Sequence, residues 1–456
     1  MSTTKDLAAF AAGLTLADVP DAAAANASLA IADSVGCVFA GFDTAAVRLL
    51  RKVMGPEGGA PRASVIASGT KTAAGTAALL NGAAAHALDY DSISLTVSGF
   101  VASPTLFALL ALAETQSEPV DGSRLLEAFI AGWEVESAIA RGLGVLHYRK
   151  GWHATATLGH FGAAVAGAKL LGCDTEGLCH AMGIVASEAS GLRTMIGRMT
   201  NPFHVGKAAR NGVLAALLAR SGFDAEPGVI EHPQGFAVAF NGEGAFDLDA
   251  MTRGLGSTWD LVDPGLVIKV YPCCGLIHSA IDAALALRRD HALRPDDIAE
   301  VEVAVHAFVP PTMNIDRPAT GYEAKFSTPY CLAAPLLDGE VTLATFSDDR
   351  IGDPRLQALM ETVRMVVHPD LRDASTFLER EFSEVSVTLR DGTRHGRRVR
   401  RIDNRGSRGN PIAAEQLADK ILDCTGRRRG RVEASLPALL DIASVKDVAA
   451  LMESLR

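Results

Sequence analysis

Histidines next to helix starts are the first candidates for acid–base chemistry in this sequence. His153 lies in GWHATATLGHFGAA, directly before a segment of helical composition. The positive end of a helix dipole disfavours protonation of such a histidine, which keeps the neutral ring available as a general base. A core histidine bonded to a backbone carbonyl is the alternative interpretation of the same residue.

The segment MTNPFHVGKAARNG combines a histidine with cations at the start of another predicted helix. Pro202 interrupts the chain, His204 precedes the helix, and Lys207 and Arg210 fall in its first turns. Helix N-terminal amides together with such cations suit a carboxylate ligand. Capping at the protein surface is the alternative for these residues.

Further polar groups lie in small-residue or apolar segments, where burial shifts pKa values. Asp89, in NGAAAHALDYD, is suited to orient a base or hold a substrate hydroxyl, with a turn carboxylate as the alternative. His278 begins a predicted helix in KVYPCCGLIHSAIDA. Lys325 and Tyr330 lie in EAKFSTPYCLAAPLLDG, and a buried tyrosine can serve as an acid near an oxyanion.

Composition and missing motifs exclude several classes of protein. The net charge of −10 disfavours a nucleic-acid partner. The longest apolar stretches, such as 106–113, fall short of the roughly 18 residues that span a bilayer, and the first residues lack a signal-peptide pattern, so we expect a cytoplasmic protein. Seven cysteines form no CxxC pair, and glycine-rich nucleotide motifs and HExxH are missing, so we expect neither a metal nor an organic cofactor.

The hydropathy pattern predicts a mainly α protein with a smaller α+β part. Alanine- and leucine-rich segments of helical length dominate the first 225 residues and suit a compact bundle. Alternation of polar and apolar residues at 301–305 and 385–389 predicts strands, Asp391-Gly392 predicts a hairpin turn, and helices are expected at 275–289, 324–337 and 354–363. We expect a helical domain at 1–262, an α+β lid domain at 263–402, and helices at 403–456 that return to the first domain.

Arginine clusters at 397–401 and 427–431 admit two interpretations. They are compatible with an anion-binding patch. A solvated face is the favoured interpretation, because charge runs usually face solvent and the chain is acidic overall.

Read in order, these motifs resemble those of the MmgE/PrpD family, which includes 2-methylcitrate dehydratase, cis-aconitate decarboxylase and iminodisuccinate epimerase. The resemblance covers nearly the whole chain and rests on NGAAAHALDYD, GWHATATLGHFGAAVAGAKLLG, PFHVGKAARNGVLAALLA, YPCCGLIHSAIDAAL and AKFSTPYCLAAPLLDG. It implies a large helical domain joined to a smaller α+β lid domain, a pocket in the cleft and a homodimer. It also implies small polycarboxylate substrates and chemistry next to a carboxylate without an organic cofactor.

The resemblance assigns roles residue by residue. It implies that Asp89, His153, His278 and Tyr330 line the pocket as catalytic groups, and His204 matches the histidine of a PxH segment. We expect the substrate-binding residues to be His204, Lys207, Asn201, Lys325 and Phe100.

Two positions depart from the family pattern. Phe100 stands where a histidine is common, and Asn201 stands where a lysine is common; Lys207 replaces neither by position. Because a tricarboxylate needs several cationic or N–H partners, these departures favour a smaller or differently charged substrate.

The expected mechanism begins with proton abstraction by a neutral His153, oriented by a carboxylate such as Asp89, with Tyr330 or His278 as the proton donor. A hydro-lyase similar to 2-methylcitrate dehydratase is the first expectation. The alternatives are an epimerase of an amino- or iminodicarboxylate and a catalytically inactive binding protein.

Overall fold

The computed structural model describes residues 2–55, 59–373 and 381–456. A bundle of helices forms the first part of the chain, as the small-residue pattern predicts. Its helices are α1 (Thr3–Gly13), α2 (Asp21–Gly41), α3 (Ala45–Met54), α4 (Ala74–His86), α5 (Ala102–Ala113), α6 (Gly122–Arg149), α7 (Ala154–Thr157), α8 (Gly159–Leu170), α9 (Thr175–Glu188), α10 (Thr200–Arg220), α11 (Phe236–Asn241) and α12 (Leu248–Thr252).

Close approach of small residues explains the packing of the central helices. α10 packs against α4, α5 and α8. A Cβ on Gly206 would lie 2.2 Å from the backbone oxygen of Leu79, and one on Gly212 would lie 2.4 Å from the Cβ of Ala163. Only glycine allows these backbones to come so close, because any larger residue would push the helices apart.

The strands form small sheets. The two-residue strands β3 (Ile93–Ser94) and β4 (Leu266–Val267) pair antiparallel, as do β1 (Ala63–Val65) and β2 (Thr70–Thr72). A four-stranded mixed sheet follows in the order β6-β5-β7-β8, and its strands are β5 (Ile298–Val305), β6 (Val363–Val367), β7 (Phe382–Leu389) and β8 (Arg394–Arg400).

The register of this sheet confirms the period of two seen in the sequence. Val301 and Val303 of β5 are fully buried and pair with Val387 and Val385 of β7. The turn at Asp391-Gly392, where Gly392 has φ 88°, connects β7 to β8 as predicted.

Helices α13 (His278–Asp290), α14 (Gly321–Ala324), α15 (Thr328–Asp338), α16 (Asp348–Ile351) and α17 (Pro354–Met360) complete the α+β part. α13 packs against β7 and β8. The helix predicted at 354–363 is too long, because the β-branched run that begins at Val363 joins the sheet as β6, parallel to β5. Pairing with a distant strand therefore overrides the helical pattern there.

The C-terminal helices return to the bundle, which confirms the predicted mainly α class with an α+β part. They are α18 (Ala414–Thr425), α19 (Arg429–Leu440) and α20 (Val448–Leu455). α18 packs against α2, where a Cβ on Gly36 would lie 2.8 Å from Ile421. The chain before α20 is tied to α6 by the backbone bond from Gly122 to Val445, 2.7 Å long.

Helix α2 is the one helix of the described residues that is long and apolar enough to cross a membrane. It lies in the bundle against α4 and α18, and 67% of its apolar window is buried there. These contacts make it a core helix of the bundle.

Candidate active site

A small cavity lies between the helical bundle and the α+β part. The bundle contributes Asp89, Phe100, His153 and Asn201 to its wall, and Arg401 directly follows β8. The cavity volume is about 60 Å³. On the same scale, one water molecule needs about 10–15 Å³. The cavity therefore has room for a small ligand.

His153 lines this cavity and contacts a second histidine behind the wall. The Nδ1 atoms of His153 and His204 lie 3.1 Å apart, so one ring donates and the other accepts. Burial lowers the pKa of His153 well below its usual range, and the neighbouring His204 adds to this effect. Burial also lowers the pKa of His204, to about 4. Both rings are therefore neutral at pH 7.

Asp89 lines the cavity beside a buried lysine. Asp89 follows α4 with φ 52°, a conformation that few residues other than glycine adopt. Lys269 is fully buried, its Nζ lies 3.0 Å from Asp89 Oδ1, and it also donates to the Asp89 backbone oxygen. The same Nζ is 5.3 Å from the ring centre of Phe100. The sequence analysis expected Asp89 to orient His153, but the structure pairs Asp89 with Lys269 instead.

A second buried ion pair fixes the backbone around the first. Lys420 of α18 lies 2.6 Å from Asp33 of α2 and donates to the backbone oxygens of Tyr90 and Lys269, each over 2.8 Å. Burial would lower the pKa of Lys420, but Asp33 and its other neighbours hold that pKa above its usual value. The charged amine therefore joins the segments that carry Asp89 and Lys269.

Buried polar atoms without partners gather at the cavity. Among the described residues, Asp89 Oδ2, Asn201 Oδ1 and the Tyr322 hydroxyl have no hydrogen-bond partner of good geometry. Tyr322 is not one of the lining residues, and its hydroxyl interacts with Asn201; burial outweighs that interaction and raises the pKa of the hydroxyl. Buried polar groups are nearly always satisfied, so this cluster points to a ligand or ordered water.

Asn201 is held by a further chain of side chains. Its Nδ2 lies 3.1 Å from His86 Nε2, and His86 Nδ1 lies 2.9 Å from Asp91 Oδ1. The ring of Phe100 packs edge-on against His86, with 4.1 Å between centroids. The two positions that depart from the family pattern, Phe100 and Asn201, therefore contact the same histidine.

The other predicted site residues lie outside the cavity wall. His278 Nε2 lies 3.2 Å from the backbone oxygen of Cys273. The Tyr330 hydroxyl donates to the backbone oxygen of Thr345 over 2.5 Å, and Tyr330 is not among the residues that line the cavity.

The two predicted lysines also have protein partners. Lys325 is buried and donates to the backbone oxygen of Pro272 over 2.5 Å, and burial lowers its pKa to about 8. Lys207 is half-buried and donates to Ser190, 3.1 Å from its backbone oxygen. The structure thus brings Asp89, His153, Phe100 and Asn201 together at one cavity, with His204 behind them.

Sequence reasoning missed three residues at or beside the cavity. Lys269 begins the KVYPCC motif as a single charge within an apolar run, a signal that could have identified it. Tyr322 lies one residue before Glu323, where the motif considered in the sequence analysis begins, so it was left out. Arg401 was assigned to a solvated face, which is wrong: it is 6% exposed, lines the cavity and lies 2.8 Å from Glu381.

Comparison with known proteins decides the family. The model of the MmgE/PrpD N-terminal domain matches residues 5–249, and that of the C-terminal domain matches residues 271–440. The chain belongs to the MmgE/PrpD family. Among the described residues of this MmgE/PrpD protein, no three His, Cys, Asp or Glu side chains form a group able to hold a metal ion.

Similar proteins of this family carry lyase names. The chain is 29% identical to "Cis-aconitate decarboxylase" of Aspergillus terreus over 383 residues, which covers 79% of this chain and 77% of that protein. It is 29% identical to the protein of the same name from Homo sapiens, with 76% and 71% covered. It is 28% identical to "2-methylcitrate dehydratase" of Cupriavidus necator over 243 residues, with 50% and 48% covered.

Proposed function

We propose that this MmgE/PrpD protein is a cofactor-independent lyase that removes a proton next to a carboxylate of a small polycarboxylate. The observation that carries the proposal is the cluster of unpartnered buried atoms on Asp89, Asn201 and Tyr322, beside a neutral His153. Asp89 Oδ2 and Asn201 Oδ1 are hydrogen-bond acceptors, and a substrate hydroxyl donates to one of them while it accepts from a neighbouring donor. The lyase names of the similar proteins support the same reaction class.

In this proposal His153 is the general base. Its Nδ1 donates to His204, which leaves Nε2 with a lone pair for the substrate proton. His153 Nε2 has no partner among the residues that the structure describes. A histidine that burial keeps neutral is ready to accept a proton at pH 7.

Lys269 and the start of α13 would hold negative charge. The ammonium group of Lys269 lies directly behind Asp89 and Phe100. Gly275 and Leu276, in the turn that leads into α13, line the cavity near the N-terminus of that helix. Such groups stabilise a carboxylate and the charge that builds on it when the adjacent carbon loses a proton.

The residues of the candidate site can account for both proton transfers of a dehydration. His153 takes the proton from carbon, the electron pair forms the new double bond, and the C–O bond to the substrate hydroxyl breaks. The Tyr322 hydroxyl supplies the proton with which that hydroxyl leaves as water. Asp89 Oδ2 accepts the one hydrogen bond that this hydroxyl donates beforehand, which orients it.

A decarboxylase is the second candidate, because several similar proteins have that name. Loss of CO₂ leaves an electron pair on carbon that a proton must then quench. The Tyr322 hydroxyl, the donor proposed for the dehydration, could supply that proton as well. The dehydratase is the first candidate because the acceptor atoms of Asp89 and Asn201 suit a substrate hydroxyl, which a decarboxylation does not require.

Proton NMR in D₂O tests the proposal. The enzyme, a His153→Ala variant and a His160→Ala control are incubated with hydroxy- and amino-polycarboxylates, including 2-methylcitrate, citrate, malate, cis-aconitate and iminodisuccinate. His160 is a buried histidine bonded to Asn211, outside the cavity wall, so its loss is expected to preserve activity.

The expected result is the loss of an α-proton signal together with new vinylic signals. This reaction should be absent only with the His153→Ala variant. CO₂ release from cis-aconitate would establish the decarboxylase, and exchange without vinylic signals would establish an epimerase. No reaction and no binding across the panel would overturn the proposal. The cytoplasmic location, the homodimer and the domain boundaries stay predictions.

A further inference from the structure

A guanidinium group is held against the wall of the cavity. The guanidinium carbon of Arg193 lies 3.7 Å from the ring centre of Tyr148 and 5.5 Å from that of Phe308. Its Nη2 donates to Thr312 Oγ1 over 2.9 Å, and its Nη1 donates to the Tyr148 backbone oxygen over 3.1 Å. All three of these partners line the cavity. Arg193 is therefore fixed directly against the wall, although it is not itself a lining residue.

The positive charge of Arg193 is not balanced by the protein around it. The two charged side chains that line the cavity have partners of their own, since Asp89 pairs with Lys269 at 3.0 Å and Arg401 pairs with Glu381 at 2.8 Å. Among the residues that the structure describes, no carboxylate pairs with Arg193, and its buried Nε lacks a hydrogen-bond partner. A cation in this position favours an anionic ligand, because the anion balances its charge.

Two hydroxyl groups connect this cation to the cavity. Burial raises the pKa of Tyr148, and Arg193 and Thr312 oppose this rise, so both groups lie close to the Tyr148 hydroxyl. A guanidinium only donates hydrogen bonds, so neither hydroxyl spends its hydrogen on Arg193. A hydrogen bond between the two hydroxyls uses one of their two hydrogens. At least one hydroxyl hydrogen therefore remains for a ligand in the cavity, and the adjacent guanidinium makes it a stronger donor.

We infer that the hydroxyls of Thr312 and Tyr148, with Arg193 behind them, bind a carboxylate of the substrate. This inference rests on the proposed function and adds a second carboxylate site to it, because Lys269 lies at a different part of the wall, beside Phe100. The substrate is then at least a dicarboxylate, with one carboxylate near Lys269 and another at Thr312. Arg193 is a positioning residue, since it orients Thr312 and its charge stabilises the bound anion.

Two ligands that differ in one charge test the inference. Succinate and succinamate have nearly the same size and shape, but succinamate carries a neutral carboxamide in place of one carboxylate. Isothermal titration calorimetry of the full chain measures both dissociation constants at a pH where all carboxyl groups are ionised. Succinate is expected to bind about tenfold more tightly, because succinamate loses a hydrogen bond to a charged acceptor.

Variants of Arg193 separate its charge from its structural role. Arg193→Met and Arg193→Lys both remove the guanidinium that holds Thr312, but only Arg193→Lys keeps a positive charge. The preference for succinate over succinamate should disappear in Arg193→Met and persist in part in Arg193→Lys. Arg198→Met is the matched control, because the Arg198 side chain is 69% exposed and lies 3.4 Å from Glu323. This control should keep the full preference.

Variants of Thr312 test the hydroxyl that lines the cavity. Thr312→Val has nearly the same shape as the original residue but lacks the hydroxyl, whereas Thr312→Ser keeps it. The preference for succinate should fall several-fold in Thr312→Val and be retained in Thr312→Ser. Thermal unfolding shows whether each variant is folded before its binding is measured. If Arg193→Met does not fold, the Thr312 pair still decides the question.

The outcomes distinguish this inference from the proposed function. Equal affinity of the unaltered chain for succinate and succinamate would overturn the inference. Loss of affinity for both ligands by the same factor in Arg193→Met and in Thr312→Val would also overturn it, since that is the result of a structural role alone. Either result leaves the proposed function in place, because Lys269 can still bind the carboxylate next to the reacting carbon. Binding of neither ligand would overturn both carboxylate sites, and with them both proposals.

Discussion

Lys420 donates a hydrogen bond to the backbone oxygen of Lys269 over 2.8 Å, so a buried lysine of a C-terminal helix positions the buried lysine of the candidate active site. The same amine also holds the backbone oxygen of Tyr90, the residue after Asp89. The C-terminal helices are therefore connected to the site through the backbone on both sides of its ion pair.

Removing the Lys420 amine should reduce turnover, because Lys269 and Asp89 would then be displaced. Lys420→Met alone leaves Asp33 buried without its cation, which costs about 3–5 kcal/mol of unfolding free energy. The double variant Asp33→Asn, Lys420→Met removes both charges and should retain more of that stability. We expect kcat to fall about tenfold or more in the double variant, since small misplacements are costly in catalysis.

Thermal unfolding and steady-state kinetics on the same preparations separate the two effects. The double variant should unfold at a higher temperature than Lys420→Met. If it folds and turns over like the unaltered enzyme, Lys420 has no positioning role.

Two tyrosines make a matched pair for testing the proton donor. Tyr322 has an unpartnered buried hydroxyl near Asn201 and Asp89, whereas Tyr330 donates to Thr345. Tyr322→Phe should lower kcat at least tenfold and cost at most about 1 kcal/mol of stability, because the substitution removes no more than the contact of the hydroxyl with Asn201. Tyr330→Phe should cost about 1 kcal/mol of stability and leave kcat nearly unchanged.

Kinetics and urea unfolding of both variants provide the measurement. The reverse pattern, with kcat lost in Tyr330→Phe and kept in Tyr322→Phe, would return the donor role to the residue that the family resemblance favoured.

Local patterns were sufficient to predict much of the fold. The alternation of Val301 and Val303 predicted a strand because side chains of a strand alternate between two faces. The small-residue helices were likewise predicted from the composition and length of each segment. The strand at Val363 could not be found this way, because its partner β5 lies some 60 residues earlier in the chain.

The site was predicted less completely, since its pairs join distant segments. Asp89 and Lys269 are 180 residues apart, and nothing local to either residue reveals the other. His153 and His204 were each recognised from their own motifs, but their contact over 3.1 Å was not. Arg401 was misplaced because its burial depends on Glu381 and on the cavity, not on its neighbours in an exposed strand.

The histidine pair should make the protein sensitive to acid. Burial lowers the pKa of His204 to about 4, with Lys207 and His86 contributing, and His153 faces it with a lowered pKa too. Between pH 6.5 and 4 the unfolded chain binds a proton at His204 that the folded chain does not. The contribution of His204 to the free energy of unfolding therefore has its full value above pH 6.5. It decreases as the pH falls, by up to about 1.4 kcal/mol per pH unit.

Urea unfolding of the unaltered protein and of His204→Gln at pH 4.5, 5.5, 6.5 and 7.5 measures this effect. The stability advantage of the unaltered protein should shrink towards pH 4.5. Parallel pH profiles for the two proteins would show that His204 titrates normally in the folded state.

Glu136 should have the opposite dependence on pH. It is fully buried in α6, both carboxyl oxygens lack partners among the described residues, and burial raises its pKa well above the usual range, with Asp260 adding to the effect. Above pH 4.5 the unfolded chain releases this proton while the folded chain keeps it. The contribution of Glu136 to the free energy of unfolding therefore has its full value below pH 4.5. It decreases as the pH rises, by up to about 1.4 kcal/mol per pH unit, until the pH reaches the pKa of Glu136 in the folded protein.

Glu136→Gln removes this dependence because the amide is neutral at every pH. Any cost of the amide group itself is the same at each pH, so the stability of the variant relative to the unaltered protein should grow from pH 5 to pH 8. Glu433→Gln, at an exposed position of α19, is the control and should show no such trend. A difference between Glu136→Gln and the unaltered protein that stays constant over this range would mean that Glu136 is ionised in the folded protein, and that the bundle supplies a partner for its charge.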